Sequence, residues 1–286
     1  MTIWFSTNIP EMRAISAFNR VSTDIADIQQ RITTGQRINS GRDDPGGLVI
    51  REGLRADIKG IHGAQAGMVQ AETMMNIASG GMMQLLNLIV GSDPNNPDDG
   101  GLIGAMSGSM TNEAKKAFAD NFMRMYDVAV NTTRFNGDLL LGSDGGMNKT
   151  YQLGHGAGAG TLAVTIANLS SATGGAAENL ATAIGLIHTG QDSTIQDVIA
   201  AARTLQTNIA GHLGTLGGNQ NVIAMNQRLL DSQLTTLTAA EGRISNTDVA
   251  VESSRMARAE LLAQNAMNSI MYNRRFASFT VSSLFG

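Results

Sequence analysis

The best-patterned segments of this 286-residue chain lie at its two ends. Near the N-terminus, Met12, Ile15, Phe18, Val21, Ile25, Ile28 and Ile32 recur at steps of three and four. Near the C-terminus, Val249, Met256, Ala259, Ala263, Ala266 and Ile270 keep a similar, weaker stripe. Each is the seam of an amphipathic helix that needs a partner to cover it. Termini fray unless something ties them down. Ends patterned like this predict a chain that pairs them and assembles through them.

Hydrophobic residues make up 42% of the chain and aromatics only 4%, so the expected core is aliphatic. Sixteen Met suit adaptable helix–helix surfaces better than a sharply shaped pocket. The net charge of −4 gives no basic stripe for nucleic acid. Without Cys, disulfides and thiolate metal sites are excluded. Residues 1–10 have neither a basic n-region nor a long apolar h-region, so any export is expected by a route without a classical signal. No apolar run is long enough for a spanning helix, and membrane insertion is not expected.

The first stripe ends at Gly35. Residues 39–47 (Asn-Ser-Gly-Arg-Asp-Asp-Pro-Gly-Gly) read as a loop, with Asp43 or Asp44 capping the next helix and Pro45 in its first turn. Helical period runs from Leu48 through Leu54, Ile58, Ile61, Val69, Met75, Leu86 and Ile89, with Gly80-Gly81 as its soft spot. It stops at the turn cluster 91–97. Another helix is expected near Asn112, burying Phe118, Phe122, Met125 and Ala129. After Asn136-Gly137 come short apolar pieces at 139–141, 150–153 and 161–166, which read as small strands. The helical period returns at Ser193, with a capping-box pattern to Gln196, and continues to Ile244. The last helix is expected to start at Ser245 or Asn246. A helix of about 45 residues would be roughly 65–70 Å long. The fold expected is mainly α: an elongated coiled-coil-like rod, with paired terminal helices and a small β-hairpin region in the middle.

Several motifs now carry a resemblance. Arg31 to Ile50 (RITTGQRINSGRDDPGGLVI) resembles the R-L-S-S-G-x-R-I-N-S-A-x-D-D-x-A-G-x-x-I segment of bacterial flagellin. Arg134 to Leu140 resembles its F-N-G-x-x-L-L turn, and Leu213 to Asn221 its L-G-A-x-Q-N-R element. Arg243 to Asp248 and Arg258 to Gln264 resemble R-I-x-D-x-D and R-x-x-I-L-x-Q. The matches lie in order along nearly the whole chain.

The resemblance implies a filament subunit, here a short form without large outer domains. It implies an inner domain of residues 1–44 plus 246–286 and a helical domain of 45–245, with a β region at about 137–190. Packing and polymerisation would then fall to Ile15, Phe18, Val21, Ile25, Ile28, Ile32, Met256, Ala259, Ala263, Ile270, Phe276, Phe279, Leu284 and Phe285. The loop motif would be Arg37, Asn39, Asp43, Asp44 and Pro45. Implied partners are further copies of the chain, the flagellar export apparatus with its chaperone, and the filament cap and hook–filament junction proteins. The implied place is outside the cell in the flagellum, external or periplasmic. The family's innate-receptor epitope Q-R-V-R-E-L aligns with residues 84–89, where Leu85 and Asn87 replace its arginines; poor recognition by the flagellin-sensing receptor is expected.

Chemistry is sparse. His62, His155, His188 and His212 form no metal-ligand spacing. Residues 93–104 imitate a calcium loop but lack its glycine and closing Glu. Residues 143–150 miss the glycines of a phosphate loop. Asp43-Asp44 lacks a third group for acid–base work. Hence no enzyme, cofactor or metal is expected. A hook–filament junction protein of the same superfamily, or an enzyme carried on the same scaffold, are the alternatives.

Overall fold

A computed structural model describes residues 9–91, 101–142, 147–156, 160–187 and 193–285. For residues 193, 194 and 276–285 it describes the backbone alone. The elements in order are α1 (Ile9–Thr34), α2 (Pro45–Val90), α3 (Leu102–Ser107), α4 (Asn112–Thr132), β1 (Arg134–Phe135), β2 (Asp138–Leu139), β3 (Met147–Gln152), β4 (Thr161–Ile166), α5 (Glu178–Ile187), α6 (Ser193–Ser245) and α7 (Val249–Phe285). The fold is mainly α, with two small antiparallel two-stranded sheets, β1–β2 and β3–β4. Two compact units divide the chain: residues 1–58 with 235–286, and residues 59–234.

The second unit has a closed core. Along α2, Ile61, Met68, Met75, Met82, Leu85 and Ile89 are fully buried at steps of three, four and seven, with Met74 buried beside Met75. They share the unit's core with Phe122 and Tyr126 of α4, Leu180 and Ile184 of α5, and Val198, Leu205 and Ile209 of α6. Burial raises the Tyr126 pKa far above the ordinary phenol range. Its hydroxyl donates to the Leu169 carbonyl at 2.6 Å, so that buried polar group is satisfied. Between the long helices, Gln65 donates to Asp231 at 2.7 Å and Gln220 to Asn76 at 2.8 Å.

Local chemistry explains the connections. Thr111 caps α4, its hydroxyl accepting from Ala114 N–H at 3.3 Å. Asn136 (φ 52°) and Gly137 (φ 87°) both sit in the left-handed region, as a two-residue hairpin of the primed type requires. Helix α2 runs unbroken through Gly80-Gly81. Gly81 is where Thr133 approaches: a Cβ there would meet the threonine Oγ1 at 2.7 Å. Gly60 likewise admits His155, whose Cβ would lie 2.9 Å from an added methyl.

Some expectations change. Helices α3 and α5 were not foreseen, and α5 lies inside the stretch read as β. It is only 10 residues long, too short for its period to stand out beside Gly-rich flanks. Of the four residues expected to be buried on α4, Phe122 and Ala129 are, whereas Phe118 and Met125 are exposed. The last helix starts at Val249, capped by Asp248, which accepts from Ala250 and Val251 N–H at 2.9 and 3.2 Å. The capping box at Ser193 and most of the turn cluster 91–97 lie outside the described residues, as does the calcium-like stretch up to residue 100.

Candidate assembly surface on the paired terminal helices

The first unit is built on α1 and α7 running antiparallel. Two contacts fix the register, the Gln36–Asn246 bridge near the loop and Glu11–Arg274 at 2.8 Å at the far end; midway, Ile28 and Ala259 are the most buried apolar residues of the pair. On α1 the buried and half-buried positions include Phe18, Val21, Ile25, Ile28 and Ile32. On α7 they are Glu252, Met256, Ala259, Ala263, Ala266, Ile270 and Asn273. Both series alternate steps of three and four, the heptad rule of a coiled-coil seam. Among the described residues only Ile28, Ala259 and Glu252 are buried in it. Two helices cover one stripe on each and leave the remaining circumference to solvent.

Ala259, Ala263 and Ala266 occupy seam positions of α7, where small side chains let the two backbones approach, whereas Ala257 is exposed. Ile15 and Met12 fall off the seam and are exposed. The exposed set on the pair also includes Ile9, Val249, Val251, Leu261, Leu262, Met267, Met271 and Tyr272. Those on α7 lie on several of its sides, interspersed with exposed polar residues such as Arg255, Glu260 and Gln264.

The two sides flanking the seam differ. One bears Asp24, Asp27, Arg31, Arg255 and Arg258, which line an open groove of about 270 Å³. The other follows the residues just after the seam positions: Met12 and Ile15 on α1, Met267 and Met271 on α7.

The loop between α1 and α2 locks the pair to the chain entering α7. Gly35, at φ +67°, ends α1 in the left-handed conformation. Arg37 N–H donates to Ser245 O at 2.6 Å, and Thr247 N–H returns to Gly35 O at 3.0 Å. The Arg37 guanidinium donates to Ile244 O at 3.0 and 3.3 Å and pairs with Asp44 at 3.7 Å. Asp44 is the N-cap of α2, accepting from Gly47 N–H at 2.8 Å, with Pro45 as the first helical residue. Asp43 Oδ2 accepts from the Ser40 amide at 2.8 Å, the Asn39 amide at 3.1 Å and the Ser40 hydroxyl at 3.0 Å. These bonds hold its pKa below the ordinary carboxylate value, the Ser40 amide foremost. Asn39 Nδ2 donates to Gln36 O at 3.0 Å. All five loop-motif residues therefore serve one turn, as hydrogen-bonding, capping or helix-starting groups.

Two family models match the chain, one for the bacterial flagellin N-terminal helical region over residues 5–144 and one for its C-terminal helical region over residues 198–271. The chain belongs to the flagellin family. It is 26% identical over 266 residues to a flagellin of Halalkalibacterium halodurans, covering 90% of each chain. It is 21% identical over 286 residues to a flagellin of Listeria innocua, covering 93% of each. With polar flagellin C of Vibrio parahaemolyticus it shares 29% identity over 167 residues, 55% of this chain and 40% of that one. Among solved structures, a putative flagellar hook-associated protein from Vibrio parahaemolyticus aligns with a TM-score of 0.54 at 11% identity. That alignment covers 70% of this chain and all of the other, and it speaks to the fold alone.

Against the flagellin pattern, the two receptor-epitope positions separate. Leu85 is fully buried and belongs to the α2 core, while Asn87 is exposed. An arginine at 85 would have to enter that core, so the comparison rests on Asn87. The side chains of Phe276, Phe279, Leu284 and Phe285 lie outside the described ones.

Three features of this flagellin-family chain were missed in the sequence. Arg55 Nε donates to Glu241 at 3.1 Å, joining α2 to α6 within the first unit. Arg51, itself buried, donates to Ile38 O and to Glu52 at 2.9 Å. Glu252 occupies a seam position; Oε1 accepts from Arg255 at 2.8 Å, and Oε2 has no hydrogen-bond partner among the described residues. The heptad spacing from Met256 back to 252 was the available signal, masked because a charged residue does not read as part of a hydrophobic stripe. Among the described residues, no cluster of three His, Cys, Asp or Glu could hold a metal, and no helix is long and apolar enough to cross a membrane.

Proposed function

We infer that this chain is a structural subunit of the bacterial flagellar filament and that its paired ends, α1 and α7, carry the contacts between copies. The supporting observation is the half-covered seam. A coiled-coil pair from opposite ends of the chain leaves Ile9, Ile15, Leu261, Met267 and Tyr272 in solvent. Covering one such half-exposed side chain against a neighbour contributes on the order of 1 kcal/mol. Summed over a helical lattice, that suffices for an open head-to-tail polymer. The seam residues Phe18, Val21, Ile25, Ile28, Ile32, Met256, Ala259, Ala263 and Ile270 hold the pair together. Phe276, Phe279, Leu284 and Phe285 extend the same helix and complete the inter-subunit packing.

The inner domain of this reading is residues 1–44 with 246–286, closed by the loop motif. Passage through the flagellar export apparatus with a dedicated chaperone, and contacts with cap and junction proteins, follow from the role and place the subunit outside the cell. The chain itself catalyses nothing in this reading.

The test is polymerisation of the purified chain, imaged directly. Long filaments from the full chain, and none from a chain truncated at Phe276 whose second unit keeps its helicity, are the expected pair of results. Filaments of normal length from the truncation would refute assembly through the ends. Full-length protein that never forms long filaments alone would favour the junction-protein alternative.

A further inference from the structure

The side of the α1–α7 pair opposite the charged groove holds three of the chain's exposed thioethers. In heptad terms Ile15 follows the seam position Ala14, and Met267 follows Ala266; these flank the seam on the same side of an antiparallel pair. Met12 and Met271 occupy the next positions outward on that side. Met271 lies one turn beyond Met267. The register set by Glu11–Arg274 brings all four to the same end of the pair. Met12 is 60% exposed, Met267 53% and Met271 54%. Toward the loop the same side turns polar, with Ser22, Gln29, Ser253 and Glu260. The apolar strip is thus short and is built mostly from sulfur.

We propose that Met12, Met267 and Met271 form an oxidisable strip whose conversion to methionine sulfoxide blocks association with a second copy of this chain. The inference rests on assembly through α1 and α7. The reaction takes a peroxide as oxidant. The thioether sulfur attacks the terminal oxygen, the O–O bond breaks, one oxygen stays on sulfur as S=O, and the other leaves as water after proton transfer. Sulfur is oxidised and peroxide reduced by two electrons. The product is a polar, chiral group in place of a flexible apolar one. On a solvated monomer the change is tolerated, since all three side chains are already in water. In a contact between copies each sulfoxide must lose its water, and without a matched donor that weakens the contact about tenfold or more per site. The buried methionines Met68, Met74, Met75 and Met82 are shielded in the second unit, so brief oxidation leaves that unit's core intact. The reaction is undone by the two methionine sulfoxide reductases, one for each epimer. The strip therefore makes assembly reversibly sensitive to peroxide.

The test treats monomer with hydrogen peroxide to partial oxidation and then induces assembly. Pelleted polymer is separated from soluble chain, and each methionine is read by peptide mass spectrometry. Sulfoxide at Met12, Met267 and Met271 should be depleted about tenfold in the polymer relative to the soluble fraction. Reductase treatment of the soluble fraction should return it to assembly. Equal distribution of those three sulfoxides between the fractions overturns the proposal. A chain carrying Met12→Leu, Met267→Leu and Met271→Leu is compared with its own untreated sample. Persistence of the same fractional loss after peroxide also overturns it, because other exposed methionines, such as Met83, Met110, Met125 and Met225 of the second unit, would then be responsible. Failure of untreated wild-type chain to polymerise at all would instead count against assembly through the ends, which keeps the two failures distinct.

Discussion

The two units use the same kind of apolar helix with opposite results. In residues 59–234, long helices, shorter helices and hairpins surround one another, and large side chains such as Met75, Met82, Leu85 and Tyr126 reach zero exposure. In residues 1–58 with 235–286, the seam residues of α1 and α7 mostly remain half-buried. Burial depth follows from the number of layers around a helix and not from the quality of its pattern. The better-patterned N-terminal stripe gives the shallower core. A protein needs such a contrast if one part is to be stable alone and another is to be completed by copies of itself.

Core deletions should separate the units most sharply. Leu85→Ala removes a fully buried side chain from the second unit and should cost about 2–5 kcal/mol. Ile28→Ala, in a seam open to water on both sides, should cost about 2 kcal/mol, because the site can collapse. Thermal unfolding of monomer followed by circular dichroism should show the first change lowering the upper transition and the second lowering the earlier one. A single transition moved by both substitutions would break the comparison.

Much of this contrast was legible in the sequence. Steps of three and four located α1, α2, α4, α6 and α7, and Asp43-Asp44-Pro45 marked the start of α2 with the cap left between the two aspartates. The pairing of the ends could be read because both stripes lack any other partner nearby in the chain. Helix α5 could not, since three turns between Gly-rich segments give too few repeats to fix a period. The stripe on α4 misjudges Phe118 and Met125, which are exposed, because it says which residues share a face but not how wide a neighbour covers it. The loop motif was visible as capping chemistry, yet its bonds to Ser245 and Ile244 join residues some 207 positions apart and leave no local trace.

Caps offer a finer comparison. Asp44→Ala removes a 2.8 Å charge-assisted cap from α2 and should cost about 1 kcal/mol. Thr111→Ala removes a longer, neutral 3.3 Å cap from α4 and should cost about 0.5 kcal/mol. Denaturant titration should rank them in that order; the reverse would show that the loop, and not the cap, sets the start of α2.

The smallest effect expected is on pH. The folded-state pKa of Asp43 lies below its unfolded value, so its contribution is complete at neutral pH and is lost as pH falls through and below the ordinary carboxylate range. Amide exchange at Asn39 and Ser40 should accelerate over that window beyond its intrinsic pH dependence. The excess should vanish in Asp43→Asn; if it survives there, another group governs the loop.

The Glu11–Arg274 contact spans 263 residues of chain, and this has a kinetic consequence. Closing so long a loop before anything else forms is the slowest route to the paired ends. The Gln65–Asp231 hydrogen bond brings the two chain exits of the second unit together. Once that unit has folded, the segments still to be joined are only the two tails. The entropy of the remaining closure is then lower by on the order of 1 kcal/mol. The ends should therefore zip last, outward from the loop, and at a rate that depends on whether the middle of the chain has already folded.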